Sequence, residues 1–84
     1  MKTDNLDELL GFVTGNNNRQ KLLQILGSKG SMDAERIGKL MHVVRTSVDK
    51  TLEELHEKGL VEKQGESYQL TETGTFVERE LHNF

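Results

Sequence analysis

The apolar residues between positions 31 and 74 change from helical to alternating spacing, and this change constrains the fold more than any other feature. Two sets of apolar residues repeat on one helical face, and these are Ile37, Leu40 and Met41, then Val48, Leu52 and Leu55. Tyr68 and Leu70 instead alternate, as the residues of a half-buried strand do. The stretch therefore predicts a short helix, a tight turn, a second helix and a small β-hairpin.

Capping residues and glycine locate the boundaries of these elements. Asp33 is placed to cap the short helix, because a carboxylate before the first turn accepts hydrogen bonds from unpaired amides. Gly59 is placed to end the second helix, predicted over residues 45–58, in a left-handed conformation. The hairpin strands are predicted over residues 60–63 and 67–70, with a tight turn between them.

Three more amphipathic helices are predicted outside this stretch. The first covers residues 4–14, and the second covers residues 19–27, with Asn18 as its cap and Gly27 at its end. The third closes the chain after Thr71, which can cap it. Their apolar faces contain Leu6, Leu9, Leu10 and Val13 in the first, Leu22, Leu23, Ile25 and Leu26 in the second, and Val77, Leu81 and Phe84 in the last.

The composition limits the chain to one small domain. It has 84 residues, of which 33% are hydrophobic, so its core must be small and association would add stability. It contains no cysteine, which excludes disulfides and thiolate metal sites. We find no secretory signal pattern and no run of the roughly 20 apolar residues that cross a bilayer, and we therefore expect a cytoplasmic protein without membrane contact.

The charge is unevenly distributed along the chain. The formal net charge is −3, but residues 19–50 contain seven lysines and arginines against three carboxylates. Residues 51–84 contain three lysines and arginines against eight glutamates. A local patch governs attraction to phosphate at close range more than the net charge does, so the middle of the chain is the candidate contact region for nucleic acid. Ordinary mixed surface charge is the alternative explanation.

The order of these elements resembles the winged helix-turn-helix domain of ArsR- and MarR-type transcriptional regulators. The resemblance depends on the helix that begins Arg45-Thr46-Ser47, on Gly59, and on residues 68–74, which lead from a strand into a helix. It implies a mainly α fold with a small β-hairpin (α+β) and extra terminal helices. We expect a single domain over residues 1–84, comprising an N-terminal helix (1–15), a winged-helix core (16–71) and a C-terminal helix (72–84).

The resemblance also implies details of the turn and the sheet. A one-bridge strand is implied at residues 31–32 beside the hairpin. Gly38 corresponds to a small residue that allows the next helix to approach closely. His42 stands where glycine is usual, and we expect it to be left-handed. Val44 stands where a serine or threonine cap is usual, so the cap either moves to Thr46 or is absent.

In a helix-turn-helix the second helix presents its first turns to base edges in the major groove. The corresponding candidates for double-stranded DNA are Arg45, Thr46, Ser47, Asp49 and Lys50. Arginine can donate two hydrogen bonds to guanine, while serine and threonine can contact bases or phosphates. The alternative for Lys50 is an ordinary ion pair with Glu53 or Glu54. The glutamates later in this helix repel phosphate, so we expect insertion by its amino-terminal end.

The expected wing is short and contributes little to binding. Lys63 is its single cation, beside Glu62 and Glu66, and we expect at most one phosphate contact from it. Three further cations are candidates for phosphate contacts outside the second helix, and these are Arg19, Arg36 and Lys39.

By resemblance, the terminal helices would form a homodimer that places two recognition helices about 34 Å apart, one turn of DNA. The candidate interface residues are Leu6, Leu10, Phe76, Val77, Leu81 and Phe84. The alternative is that these side chains pack back on their own domain.

The residues do not indicate an enzyme. His42, His56 and His82 lack metal-ligand spacing, and the chain has no glycine-rich phosphate loop. We predict no metal, no cofactor and no small-molecule ligand. The sequence favours a sequence-specific DNA-binding transcriptional regulator. A winged-helix protein-interaction adaptor is the second interpretation because of the acidic balance and the short wing, and a structured-RNA binder is the third.

Overall fold

A computed structural model describes residues 2–82 of the chain, with side chains from Leu6 onward. Five helices and three short strands follow one another in the described part. They are α1 (Lys2–Thr14), α2 (Asn17–Lys29), β1 (Met32–Asp33), α3 (Ala34–Met41), α4 (Arg45–Glu57), β2 (Val61–Gln64), β3 (Ser67–Leu70) and α5 (Glu72–Leu81). This arrangement confirms the predicted mainly α fold with a small hairpin and additional terminal helices.

The three strands form one antiparallel sheet in the order β1-β3-β2. Lys63 of β2 and Met32 of β1 both pair with Tyr68, on opposite sides of β3. The predicted first strand lies one residue later than expected, and so does β2. The reason for the shift in β2 is Leu60, whose amide donates to the Leu55 carbonyl and whose carbonyl accepts from Thr71. Leu60 therefore joins the end of α4 to the start of α5.

The core lies between the five helices and the sheet, and each helix contributes at least one buried side chain to it. The largest fully buried side chains include Leu22 and Leu23 of α2, Ile37 of α3, and Leu52 and Leu55 of α4. Burial of each such side chain contributes about 2 kcal/mol relative to exposure. The predicted inner face of α3 is wrong at one position: Leu40 is 41% exposed, while Ile37 and Met41 are buried.

Two of the predicted helix caps are confirmed, and the predicted cap of α2 is wrong. Asp33 accepts a hydrogen bond from the Arg36 amide at 2.8 Å, and Thr71 accepts one from the Gly74 amide at 3.0 Å, as predicted. Asn16, rather than Asn18, caps α2. Its Oδ1 atom accepts from the amides of residues 18 and 19, so the helix begins two residues earlier than predicted.

Gly27 does not end α2, which continues to Lys29 and closes at Gly30 with φ 86°. Gly27 has a packing role instead. A Cβ atom at this position would lie 2.6 Å from Cδ of Glu78, whose side chain is almost completely buried. The absence of a side chain therefore leaves room for the Glu78 side chain of α5 beside α2. The conformational freedom of glycine suggested a helix end, but the close approach is a tertiary effect.

Candidate nucleic-acid interface

The turn between α3 and α4 brings the two helices close together. A Cβ atom on Gly38 would lie 3.1 Å from the Val43 carbonyl oxygen and 3.3 Å from Cγ2 of Val48, which confirms the close approach predicted there. The Val43 amide donates to the Gly38 carbonyl at 3.0 Å. His42 ends α3 in the left-handed conformation, with φ 60° and ψ 45°, as expected. The turn fixes the position at which α4 begins.

The start of α4 has no side-chain cap among the described residues. Val44 occupies the capping position with φ −65° and ψ 155°, and its carbonyl accepts from the amides of Ser47 and Val48, each at 3.1 Å. The cap is therefore absent rather than moved to Thr46. The Val44 side chain is 68% exposed. The amino-terminal end of α4 thus presents unpaired amides and an uncovered aliphatic side chain.

Arg45 is held by the next turn of its own helix. Its Nε atom donates to Oδ1 of Asp49 at 2.9 Å, and both side chains are more than half exposed. This hydrogen bond is the main cause that raises the pKa of Arg45 above its ordinary value. Arg45 donates no other side-chain hydrogen bond within residues 6–82, and its side chain is 62% exposed, so its two terminal nitrogens can donate to a guanine edge. Asp49 therefore orients Arg45.

The other predicted residues of α4 differ in exposure. Thr46 and Lys50 are exposed, whereas Ser47 is half-buried. The alternative pairing of Lys50 with Glu53 or Glu54 is not formed among the described side chains, and Glu54 bonds Arg19 instead. On α3, Arg36 and Lys39 are exposed.

A groove of about 760 Å³ runs between α3 and the start of α4. Lys39 and Arg45 line it, together with Glu35 and Val44. Cations therefore exceed carboxylates along this groove. Arg36 does not line it, so the structure brings together some of the predicted cations and leaves this one elsewhere on α3.

The wing approaches the start of α4 at a second depression. Arg45, Lys63 and Tyr68 line this depression of about 240 Å³, with Asp33, Glu35 and Glu66. Three carboxylates accompany two cations here, so the depression attracts phosphate less than the groove between α3 and α4. Lys63 lies 5.8 Å from the centre of the Tyr68 ring, which positions its ammonium group above the aromatic face.

Tyr68 is a residue of this surface that sequence reasoning assigned only to the hairpin. The register pairs it directly with Lys63 across the two strands. The predicted hairpin could have indicated that Tyr68 lies beside Lys63, because two directly paired residues of an antiparallel hairpin have side chains on the same face. Without the register, however, the sequence did not indicate which face of the hairpin lies beside α4.

Arg19 is not available for the phosphate contact considered for it. It donates to Oε1 of Glu54 at 3.0 Å and to the carbonyl of Phe12 at 3.0 Å. Its guanidinium carbon also lies 3.9 Å from the centre of the Phe12 ring. The hydrogen bond from Arg19 is the main cause that lowers the pKa of Glu54. Arg19 thus connects α1, α2 and α4.

The predicted dimer residues are mostly part of the domain's own core. Val77 is completely buried and Leu81 is 8% exposed, so their assignment to a surface is wrong. Both complete the inner face of α5 against the rest of the domain. Leu6 and Leu10 are half-buried and pack against the same core. Phe76 is 50% exposed, and Phe84 lies outside the described residues.

A second groove, which is apolar in part, surrounds Phe76. It has a volume of about 570 Å³ and lies between α1, the end of α4 and α5. Its apolar part is formed by Leu6, Leu9, Phe76 and Val77, and its remaining lining is Glu8, Glu57, Lys58 and Thr73. This groove is at the end of α4 opposite to Arg45.

The described residues offer neither a metal site nor a membrane-spanning helix. No three His, Asp or Glu side chains gather in a way that could hold a metal ion within residues 6–82. In the same part of the chain, the helices are too short or too polar to cross a bilayer.

A helix-turn-helix followed by a β-hairpin, which forms a three-stranded sheet with an earlier strand, and by a packed closing helix defines the winged helix-turn-helix class of regulator domains. The chain belongs to the family described as the HVO_A0261 N-terminal domain, which matches residues 7–84. No curated protein matches the chain in sequence.

One solved structure confirms the resemblance seen in the sequence. The chain is similar to NMB1585, a MarR family regulator from Neisseria meningitidis, with a TM-score of 0.76 and 27% sequence identity. The similarity covers 92% of this chain and 59% of that regulator. The chain therefore spans less than two thirds of the length of the regulator that it matches.

Proposed function

We propose that the protein is a sequence-specific DNA-binding transcriptional regulator that inserts the amino-terminal end of α4 into the major groove. The observation that carries this proposal is the orientation of Arg45 by Asp49 at the exposed, uncapped start of α4. An arginine held in one direction can donate two hydrogen bonds to guanine O6 and N7 with less loss of side-chain entropy. Lys50 and Lys39 supply positive charge nearby for phosphates.

The charge along α4 supports end-on insertion. Glu53 and Glu57 are exposed in the second half of the helix and would repel phosphate if the helix lay flat in the groove. Glu54 is turned toward Arg19 and is partly neutralised by it. Insertion by the first turn keeps these carboxylates away from DNA and limits direct reading to a few base pairs for each subunit.

A symmetric dimer would give this small interface sufficient affinity. Two copies of α4 about one turn of DNA apart double the number of base contacts. The apolar groove around Phe76 supports an interface formed by α1 and α5, because Phe76 is exposed beside half-buried leucines of α1. Val77 and Leu81 stabilise α5 from within and take no direct part in that interface.

A protein-interaction adaptor is the second candidate function. It is favoured by one observation, the excess of carboxylates in the depression beside the wing. An adaptor of this kind would bind a protein through the same surface without contacting phosphate. Binding to a DNA duplex separates the two candidates, since a regulator should bind the duplex with an affinity that falls steeply as salt rises, whereas an adaptor should not bind it.

The experiment is a titration of ¹⁵N-labelled protein with a mixed-sequence DNA duplex at low salt, followed by amide chemical shifts. We expect shifts at residues 44–50 and around Lys63 that reverse when salt is added. Arg45→Ala and Lys50→Ala should each weaken binding about tenfold, in line with one lost base or phosphate contact. Lys21→Gln is the matched control, because it removes one positive charge from an exposed position of α2 that lines neither the groove beside Arg45 nor the groove around Phe76.

Two outcomes would contradict the proposed function. Equal weakening by all three variants would show that general charge, and not the start of α4, determines binding. An absence of shifts at near-millimolar protein would reject DNA binding in favour of the adaptor.

A further inference from the structure

Val44 is the most exposed large apolar side chain among the described residues. Its exposed fraction is 68%, compared with 50% for Phe76 and 41% for Leu40. It stands at the capping position of α4, directly before Arg45. The most exposed aliphatic group of the domain is therefore at the tip of the helix that the proposed function places in the major groove.

Valine at this position is unfavourable for the isolated domain in two ways. It supplies no side-chain oxygen to the unpaired amides of α4, where serine, threonine, aspartate or asparagine would stabilise the helix. Its apolar surface also remains in water rather than in the core. Neither cost is offset by a contact within residues 2–82, so an apolar contact outside the domain would explain the residue.

The ion pair of Arg45 leaves Val44 uncovered. Asp49 lies one helical turn further along α4, and its hydrogen bond draws the Arg45 guanidinium toward that turn. The side chain of Val44 and the groove between α3 and α4 then remain open together. The start of α4 consequently presents one aliphatic group and one oriented guanidinium on adjacent residues.

We propose that Val44 determines sequence specificity by packing against the 5-methyl group of a thymine next to the base that Arg45 reads. The inference rests on the proposed function. The thymine methyl is the apolar group that a base pair offers in the major groove, and apolar side chains recognise it by contact. Val44 and Arg45 together would then read adjacent base pairs, one by an apolar contact and one by hydrogen bonds.

The test begins with selection from a pool of randomised DNA duplexes by the wild-type protein, by Val44→Ser and by Arg45→Ala. Wild type should enrich a motif with a thymine beside a guanine. Val44→Ser should lose the preference at the thymine only, and Arg45→Ala at the guanine only. Serine is a favourable cap, so Val44→Ser should unfold at a higher temperature than wild type, which excludes a folding defect.

The second step isolates the methyl group by replacing the selected thymine with deoxyuridine, which pairs identically but lacks the methyl. Wild-type binding should weaken about fourfold, as expected for one methyl group returned to water. Val44→Ser should bind the two duplexes equally, and Val44→Thr, which keeps one methyl, should show an intermediate effect. Binding is measured by fluorescence anisotropy at one fixed salt concentration.

Each outcome decides between distinct conclusions. If wild type enriches a motif but binds thymine and deoxyuridine duplexes equally, the role of Val44 is refuted while the proposed function stands. If replacing thymine with deoxyuridine lowers the affinity of Val44→Ser as much as that of wild type, another residue contacts the methyl group. If wild type enriches no duplex, both the proposed function and this inference are rejected.

Discussion

Arg19 donates its Nε hydrogen to Oε1 of Glu54 at 3.0 Å and so joins the start of α2 to the acidic half of α4. The pair has two consequences. It restrains α4 by tying it to α2, and it reduces the negative charge that α4 presents to phosphate. A cation expected at the binding surface therefore serves to support the helix that carries that surface.

Replacement of Arg19 should destabilise the domain. Arg19→Ala removes the bond to Glu54, the bond to the Phe12 carbonyl and the stacking on the Phe12 ring. We expect a loss of about 2 kcal/mol in the free energy of unfolding, measured by urea denaturation. Lys21→Ala, an exposed cation two residues along α2, should change it by less than about 0.5 kcal/mol. Equal effects of the two variants would contradict the structural role of Arg19.

The same pair predicts a pH dependence of stability. Arg19 lowers the pKa of Glu54 below its ordinary value of 4.5, so folding favours the ionised carboxylate. The stability from this pair is fully present above pH 4.5 and is lost as the pH falls through the lower pKa of the folded state. Wild type should therefore lose its advantage over Glu54→Gln as the pH is lowered from about 5 to 3. A constant difference across that range would show that Glu54 is not held as a carboxylate.

Two glycines inside helices should respond oppositely to alanine. A Cβ atom on Gly74 of α5 would overlap the backbone carbonyl of Leu60, whereas one on Gly11 of α1 meets nothing within 4 Å. Gly74→Ala should therefore cost several kcal/mol, because the backbone at Leu60 cannot yield without breaking its bond to Thr71. Gly11→Ala should stabilise the protein by about 1 kcal/mol. Thermal unfolding by circular dichroism measures both, and destabilisation by Gly11→Ala would contradict the packing.

The left-handed residue in the turn provides a further test. His42 adopts φ 60°, a conformation that costs a non-glycine residue about 1 kcal/mol. His42→Gly should raise the free energy of unfolding by up to this amount, measured by denaturant titration. His56→Gly places the same substitution in the last turn of α4 and should lower it by a similar amount. A loss of stability in His42→Gly would mean that the imidazole makes a stabilising contact.

Substitutions at Phe76 and Val77 should affect different properties, namely dimer association and monomer stability. Phe76→Ser should weaken a dimer while costing the monomer only about 1 kcal/mol of unfolding free energy, because half of the Phe76 surface is already exposed. Val77→Ser should instead destabilise the monomer by about 2 kcal/mol or more, since Val77 is completely buried. Analytical ultracentrifugation over a concentration series measures the association. A mass that is the same for wild type and Phe76→Ser at all concentrations would reject this dimer surface.

Local patterns in the sequence predicted most of the fold. The caps Asp33 and Thr71 and the left-handed Gly59 after α4 each depend on one residue and its immediate backbone, so the residue type was sufficient, whereas the left-handed His42 was expected from the family resemblance. The errors occurred where local chemistry was ambiguous. Gly27 was suited to a helix end and equally suited to a close approach, and Glu78 decided between them.

The candidate site was predictable to the same extent. The exposed residues at the start of α4 follow from the position of the turn, and the sequence located that turn. The contacts that those residues make could not be predicted from the sequence. The alternation of β3 could not show that Tyr68 and Lys63 meet Arg45 at one depression, since that contact joins a helix to a hairpin many residues away.

By itself, then, the sequence determined the order of helices and strands, most of their boundaries, and the short wing, because these depend on interactions between residues close in the chain. Only the tertiary structure decided which charged and apolar groups remain at the surface. It directed Arg19 inward to Glu54, buried Val77 and Leu81 on the inner face of α5, and left Phe76 and Val44 exposed. The reason is that burial and ion pairing depend on which faces pack together, and apolar spacing alone does not say how much of each face its neighbours cover.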